Sequence, residues 1–499
     1  MSKNAPLTAA LTAAPAKRAK SVRFVALIIA SALFMEGIDS TVLSTALPTM
    51  ANSFHVEPLR MNVALTAYLL SLAVFIPVSG RIADRFGTRT VFRAAIVMYI
   101  VGSILCAQSN SVELLVASRI VQGIGGAMMT PVGRLVLLKT VSKSELVTAM
   151  AWLLIPATAG PILGPPLGGL IVTYFTWQWI FYINVPVGIL GVILTTLYID
   201  EVREAEPPPI DFTGLVLSGL SLSCLIFGLE TGSHGTGSLG ITLGLLATGV
   251  VSGGLYLLHS RGHEHPILDF SLMRIPTFQI SMLAGSLSRI AVGATPFLLP
   301  MMLQLGFGYS PAQSGTITLA GSIGALLMRP VAPRTLRHLG FRNTLIWVGL
   351  FATLLLGVSA AFRPNWPIAA IYAVLIGVGF LQSLQFMGYN TVAYADVPRP
   401  RMSSATSFYT TFQQIALTLG IGVSAASLAA SVAILGHDRP LPIDFSVAYI
   451  VVATVAVFAP LVSTRLDPYA GSELSGQSPS EQHMKITLST MLRGFRRWR

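Results

Sequence analysis

Charge is what this sequence has least of. Only 10% of its 499 residues are Asp, Glu, Lys or Arg, while 53% are hydrophobic. Soluble domains carry about 25% charge, so a soluble globular protein is excluded and a polytopic α-helical membrane protein is indicated. Cysteine is nearly absent. Cys106 and Cys224 both fall inside apolar runs, as small buried residues do, and support neither a disulfide framework nor a metal site. The eight histidines show no metal-ligand spacing, and His263 and His265 are expected in a solvated loop. A nucleotide-binding P-loop, a Ser/His/Asp set and a zinc motif are all missing, so there is no ATP-driven or hydrolytic chemistry to assign. The chain is therefore not read as an enzyme, and no cofactor or metal is expected. No cleavable signal peptide is evident: residues 1–23 are polar and basic, and the first apolar run is long enough to remain as an anchor.

What the chain does have is long apolar runs. Bounded by charge, Pro or Gly, they give fourteen spans, near 24–48, 61–79, 91–109, 112–132, 147–173, 181–199, 213–230, 238–259, 276–304, 312–330, 343–362, 366–392, 404–430 and 445–463. Two polar segments, 200–211 and 260–275, divide them into six, two and six. The expected division is a tail at 1–23, a six-helix half at 24–199, a linker with two extra spans at 200–275, a second half at 276–463 and a basic tail at 464–499. Lys and Arg fix the orientation. With the N-terminus in the cytoplasm, 27 of the 32 fall in cytoplasmic segments and three, Arg60, Arg363 and Arg439, fall outside; Arg119 and Arg289 lie within spans. Both termini are then cytoplasmic. The net charge of +12 is spread over many short loops, which argues for membrane lipid and against nucleic acid as a partner. The tail ending LRGFRRWR reads as a positive-inside segment or one lying on anionic lipid.

Polar residues inside the spans are few and therefore informative. The first span carries Glu36 and Asp39, three residues apart on one helical face. Acids at that depth are costly and rarely placed there without a use. The fourth span carries Arg119, followed by Gln122, Gly123, Gly125 and Gly126; a lone Arg there needs a partner or water. The fifth reads AGPILGPPLGGL. Gly160, Gly164 and Gly168 recur every four residues as one small face, followed by Gly169, while Pro161, Pro165 and Pro166 remove backbone donors. Between the second and third spans, GRIADRFGTRT is expected as a loop. In it Gly80 lets helices approach, Gly87 permits a tight turn, and Asp84, Arg85 and Arg89 can pair across an interface. The Arg-rich segment 330–343 holds the equivalent place in the second half, as in transporters built from repeats. There Arg289 is mid-span, and Gln382, Gln385, Tyr389 and Asn390, with Tyr409, Phe412, Gln413 and Gln414, are candidates to line a cavity or to bond helices together.

These motifs carry a resemblance. GRIADRFGTRT is similar to the signature loop of the major facilitator superfamily at Gly80, Asp84, Arg85, Gly87 and Arg89. Arg119 to Gly126 resembles that superfamily's fourth-span motif, whose Arg is implicated in proton transfer, and the span-five pattern resembles the motif of drug:proton antiporters. IDSTVLSTALP and WQWIFYINVPVG look like the first-span and sixth-span signatures of the fourteen-span drug:proton antiporter family (the EmrB/QacA type), with Ser44 in place of the usual Asn. The resemblance implies an all-α major facilitator fold in a bacterial inner membrane and proton-coupled export of small amphiphilic molecules. Desolvation disfavours the charged form of a buried carboxylate. The resemblance to the first-span signature makes Asp39 the first candidate for the proton carrier, Glu36 the second or a contact for a cationic substrate, and Arg119 the modulating or counter-ionic group. A proton-coupled uptake symporter of the same fold, and a non-transporting membrane receptor or assembly partner, are the alternatives.

Overall fold

The computed structural model describes residues 22–140, 146–204, 209–234, 239–264, 266–398 and 401–471. The tails at 1–21 and 472–499, including the LRGFRRWR end, lie outside the described residues. Every regular element among the described residues is helical. Fourteen long helices follow one another: α1 (Val22–Phe54), α2 (Asn62–Phe86), α3 (Thr88–Ala107), α4 (Val112–Thr140), α5 (Leu146–Tyr174) and α6 (Trp179–Tyr198); α7 (Phe212–His234) and α8 (Leu239–Gly262); then α9 (Pro276–Gly306), α10 (Pro311–Met328), α11 (Ala332–Ser359), α12 (Ile368–Val392), α13 (Met402–Leu435) and α14 (Pro442–Ser463). Eleven are long and apolar enough to cross a membrane, and α5, α7 and α10 complete the set. The expected all-helical, fourteen-span fold is what the chain adopts.

The helices outrun the apolar runs. α1 has 33 residues, about 50 Å at roughly 1.5 Å per residue, against a hydrocarbon core of about 30 Å. The expected loop GRIADRFGTRT is not a loop. Its first part is the end of α2 and its last part the start of α3, and only Gly87, at φ 98°, separates them. The equivalent segment of the second half behaves alike: α11 begins as a short amphipathic stretch and bends at Gly340, at φ 72°, into its apolar length. Both positions need a left-handed residue, which glycine adopts without penalty. Gly80 departs from expectation. A Cβ there meets nothing within 4 Å, so it does not mediate a close helix approach in this conformation.

Within lipid no hydrophobic force draws helices together, and close packing of small residues does that work. α1 and α5 run parallel, with the span-five glycines as the contact. A Cβ on Gly160 would stand 2.7 Å from the Phe34 carbonyl oxygen, on Gly164 2.9 Å from Thr41 Cβ, and on Gly168 2.6 Å from the Val42 carbonyl oxygen. The opposite side of α5 meets the second half. Gly169 lies against Pro311 and Ala312 of α10, Gly315 of α10 lies against Pro165, and the Ala312 N–H donates to Thr173 Oγ1 at 3.1 Å. Gln304, in the π-helical turn that ends α9, donates to the Thr45 carbonyl at 2.9 Å.

The α7–α8 hairpin packs on the bundle through α7, which touches both α2 and α13. α8 exposes Leu239, Ile241, Val250, Val251 and Leu258, an apolar face suited to lipid. His263 is in a loop, as expected, but is not fully solvated. It follows directly on α8, is half-buried, and stacks on His259 with ring centroids 4.9 Å apart. His265 lies outside the described residues.

Candidate functional site

α1 presents three different surfaces within little more than two turns. The first is sealed. Asp39 and Arg119 are both fully buried, with Arg119 Nη1 2.5 Å from Asp39 Oδ2. Gln122 donates to Asp39 Oδ1 at 3.0 Å and Asn184 donates to the same oxygen at 3.3 Å. Ser103 Oγ accepts from both amides, at 2.9 and 3.4 Å. Arg119 also donates to Gln122 Oε1 at 2.6 Å and to the Ala64 carbonyl at 3.3 Å, and its guanidinium lies 4.3 Å from the centre of the Tyr68 ring. Five helices thus converge on one carboxylate. The span-four glycines make room for this: a Cβ on Gly123 would stand 2.6 Å from Ser71, and on Gly125 2.7 Å from the Tyr99 nitrogen.

The second surface is polar and open. Glu36 is half-buried and accepts from Thr130 Oγ1 at 2.6 Å. It borders a cavity of about 310 Å³ whose walls include Ser40, Tyr68, Thr130 and Arg134 of the first half and Gln414 of α13. The third surface is Thr41 and Ser44. They border a second cavity, also about 310 Å³, between α1, α5, α9, α10 and α12. Its walls are mostly apolar, with Pro161, Pro165, Val292, Leu299 and Phe386, and its polar groups are hydroxyls and Gln382. Ser44, where the family pattern has Asn, is one of them.

The expected cavity residues of the second half fall elsewhere. Gln385 is buried and accepts from Ser288 of α9 at 3.0 Å. Tyr389 is buried and bonded to Ser463 of α14 at 2.8 Å, and Asn390 donates to its own helix at Phe386. Neither they nor Arg289 and Gln413 border either large cavity. Gln382, Ser383 and Phe386 border the apolar cavity, while Gln385 is engaged by Ser288 of α9 and Tyr389 by Ser463 of α14. Arg289 is 2% exposed, donates to Tyr409 Oη at 3.1 Å and lies 5.0 Å from the Phe386 ring centre. No salt bridge to it is present among the described residues.

The charges after α2 pair with the segment that follows α6. Arg89 lies 3.8 Å from Glu201, and its backbone N–H donates to that carboxylate at 3.1 Å; Thr90 bonds the same group. The Asp84 carbonyl accepts from the Glu204 N–H at 3.2 Å, and Arg85 is exposed. A Cβ on Gly87 would run into the Glu201 carboxylate, so this glycine serves both turn and contact. Asn184, Ser103, Thr130 and Arg134 were not foreseen as site residues. Asn184 alone left a signal, as a lone amide in an apolar run.

Comparison with known proteins identifies the family and the fold. The profile of the Major Facilitator Superfamily matches residues 29–421. The protein named "Putative multidrug resistance protein MdtD" from Serratia proteamaculans is 37% identical over 414 residues, covering 82% of this chain and 85% of that one. Its namesake from Escherichia coli K12 is 37% identical over 411 residues, covering 81% and 86%. Among solved structures, a D-xylose-proton symporter aligns with a TM-score of 0.63 at 15% identity, over 88% of this chain and 96% of that one. A POT family transporter in complex with 5-aminolevulinic acid also gives 0.63 at 15%, over 90% and 96%. At that identity they speak for the fold alone.

Proposed function

The chain belongs to the Major Facilitator Superfamily, and we propose that it is a proton-coupled antiporter exporting small amphiphilic molecules across a bacterial inner membrane. It works as two halves, 24–199 and 276–463, joined by 200–275 and rocking about a central cavity. The observation that carries the proposal is the sealed Asp39–Arg119 pair on the helix that also borders the central cavity. A proton and Arg119 compete for the same carboxylate. Protonation of Asp39 releases the guanidinium, and the charge network between α1, α4 and α6 must then rearrange. Proton and substrate favour different states of the rocking equilibrium, so a proton gradient drives efflux. The membrane potential contributes about 2.3 kcal/mol per charge per 100 mV.

Glu36 takes the second role, meeting the cationic part of a substrate in the polar cavity beside Thr130 and Tyr68. The relatives named for multidrug resistance support this direction and this substrate class. The test is purified protein in liposomes with a proton gradient directed as in the cell. Outward movement of a cationic amphiphile is expected. Accumulation in the opposite direction would make the protein an uptake symporter, and no gradient-dependent movement would reject coupling.

A further inference from the structure

We propose that Asp211, His259 and His263 form a binding site for one divalent transition-metal ion of the zinc type, clasping together the two ends of the α7–α8 hairpin. This stands independently of the transport mechanism above. Asp211 immediately precedes α7, His259 is in the last turn of α8, and His263 follows that helix. The sequence hides the set, because the acid and the first histidine are far apart along the chain. The antiparallel hairpin joins them: one ligand atom from each of the three residues lies within 4.8 Å of the other two. In a tetrahedral site with bonds of about 2.0–2.2 Å, ligand atoms stand roughly 3.4 Å apart.

The donor chemistry fits. Two imidazoles and a carboxylate suit zinc and its transition-metal neighbours better than magnesium or calcium, which prefer all-oxygen sets. The histidines are four residues apart in sequence, His259 in the last turn of α8 and His263 just beyond it. Their rings are already stacked side by side. Asp211 is sequestered as a ligand should be. Its side chain is 1% exposed, and Oδ1 accepts from the Gly214 N–H at 2.7 Å and pairs with His259 Nε2 at 2.8 Å. Its other oxygen, Oδ2, is buried without a hydrogen-bond partner among the described residues. A buried acceptor left unmade is costly, and a bound cation offsets that cost.

The place also gives the ion a consequence. Arg81, near the end of α2, donates to the Pro266 carbonyl at 3.1 Å and to the Pro209 carbonyl at 3.4 Å. Those carbonyls belong to the two linkers that lead out of and into the hairpin. An ion at Asp211, His259 and His263 would fix the linker ends beside the contact that ties them to the first half.

The experiment uses the full chain purified through a tag without histidine, stripped with a chelator and titrated with Zn²⁺, or with Co²⁺ followed by absorption. One ion per chain is expected, with a thermal midpoint that rises with Zn²⁺. His263→Gln keeps the Asp211–His259 bond and therefore the fold, yet should weaken binding at least about tenfold and abolish the Zn²⁺-dependent rise. His437→Gln, at the opposite end of the bundle, should leave binding unchanged. Wild-type binding only at about 1 mM Zn²⁺, a level of affinity worth no more than about 4 kcal/mol, would overturn the proposal. So would equal affinity in His263→Gln.

Discussion

Replacing Asp39 by asparagine strands Arg119. The two groups are 2.5 Å apart with neither side chain exposed, and removing one partner of such a pair costs about 3–5 kcal/mol because the remaining charge is uncompensated. Asparagine keeps an acceptor for Gln122 or Arg119, so the lower figure, about 3 kcal/mol, is expected. Arg119→Gln strands the carboxylate instead and should cost a similar amount. The double variant strands nothing. Its loss should fall short of the sum of the single losses by about 2–3 kcal/mol, read from unfolding of the detergent-solubilised protein. Transport separates scaffold from coupling. In proteoliposomes Asp39→Asn should fail to accumulate substrate against a gradient, while exchange of labelled for unlabelled substrate without a gradient continues. Two outcomes would refute the reasoning: additive single losses, or gradient-driven transport by Asp39→Asn at the wild-type rate.

Four further expectations follow from the geometry. Gly160→Ala should destabilise by about 1–3 kcal/mol, because its Cβ meets the Phe34 carbonyl, whereas Gly80→Ala, in open space, should be neutral or stabilising by up to about 1 kcal/mol; thermal unfolding of both variants checks the contrast. Glu36→Gln should leave the fold intact and reduce transport of cationic amphiphiles at least about tenfold, roughly the loss of one charge-assisted contact, with neutral compounds much less affected. Equal loss for both classes would remove Glu36 from substrate recognition. Burial opposes ionisation of Asp269, but Ser271 and Arg401 outweigh it and hold the carboxyl below its ordinary value. A lowered folded-state pKa gives stability that is present above the unfolded value and lost as pH falls through the folded one. Acid unfolding below about pH 4 should therefore move to higher pH in Asp269→Asn at the expense of this contribution, and a superimposable acid limb would dismiss it.

The span count and the order of the helices were legible because they rest on apolar length, which the chain states directly. The sealed acid was legible too: an Asp and an Arg buried in separate spans each demand a partner, and they find one another. What could not be read was rotation. Asp39 and Glu36 share a helical face in sequence, yet one is closed in by Gln122, Asn184 and Ser103 while the other borders a cavity. That difference depends on which neighbour lies against each side, not on α1 itself. The same holds for Gln385 and Tyr389, whose partners Ser288 and Ser463 are supplied by α9 and α14 and not by α12 itself. The Asp211–His259–His263 set was hidden for a related reason. Ligand spacing in sequence finds sites made within one element, and this one is made by the antiparallel return of α8 onto the start of α7.

On the proposed mechanism, the span-five glycines do more than close a gap. They bring α5 against the back of α1 at the Phe34 and Val42 carbonyls and at the side chains of Thr41 and Thr45. Packed this closely, α1 and α5 are bound to move as one body. α5 is also the helix whose far side meets α10 of the second half, at Gly169 against Pro311 and Pro165 against Gly315. A rearrangement at Asp39 therefore reaches the boundary between halves through two close helix contacts. A bulkier residue at Gly169 should then disturb transport without touching the acid, the arginine or either cavity's polar groups. Gly169→Ala that folds and couples normally would break that link, leaving the α5 glycines as packing alone.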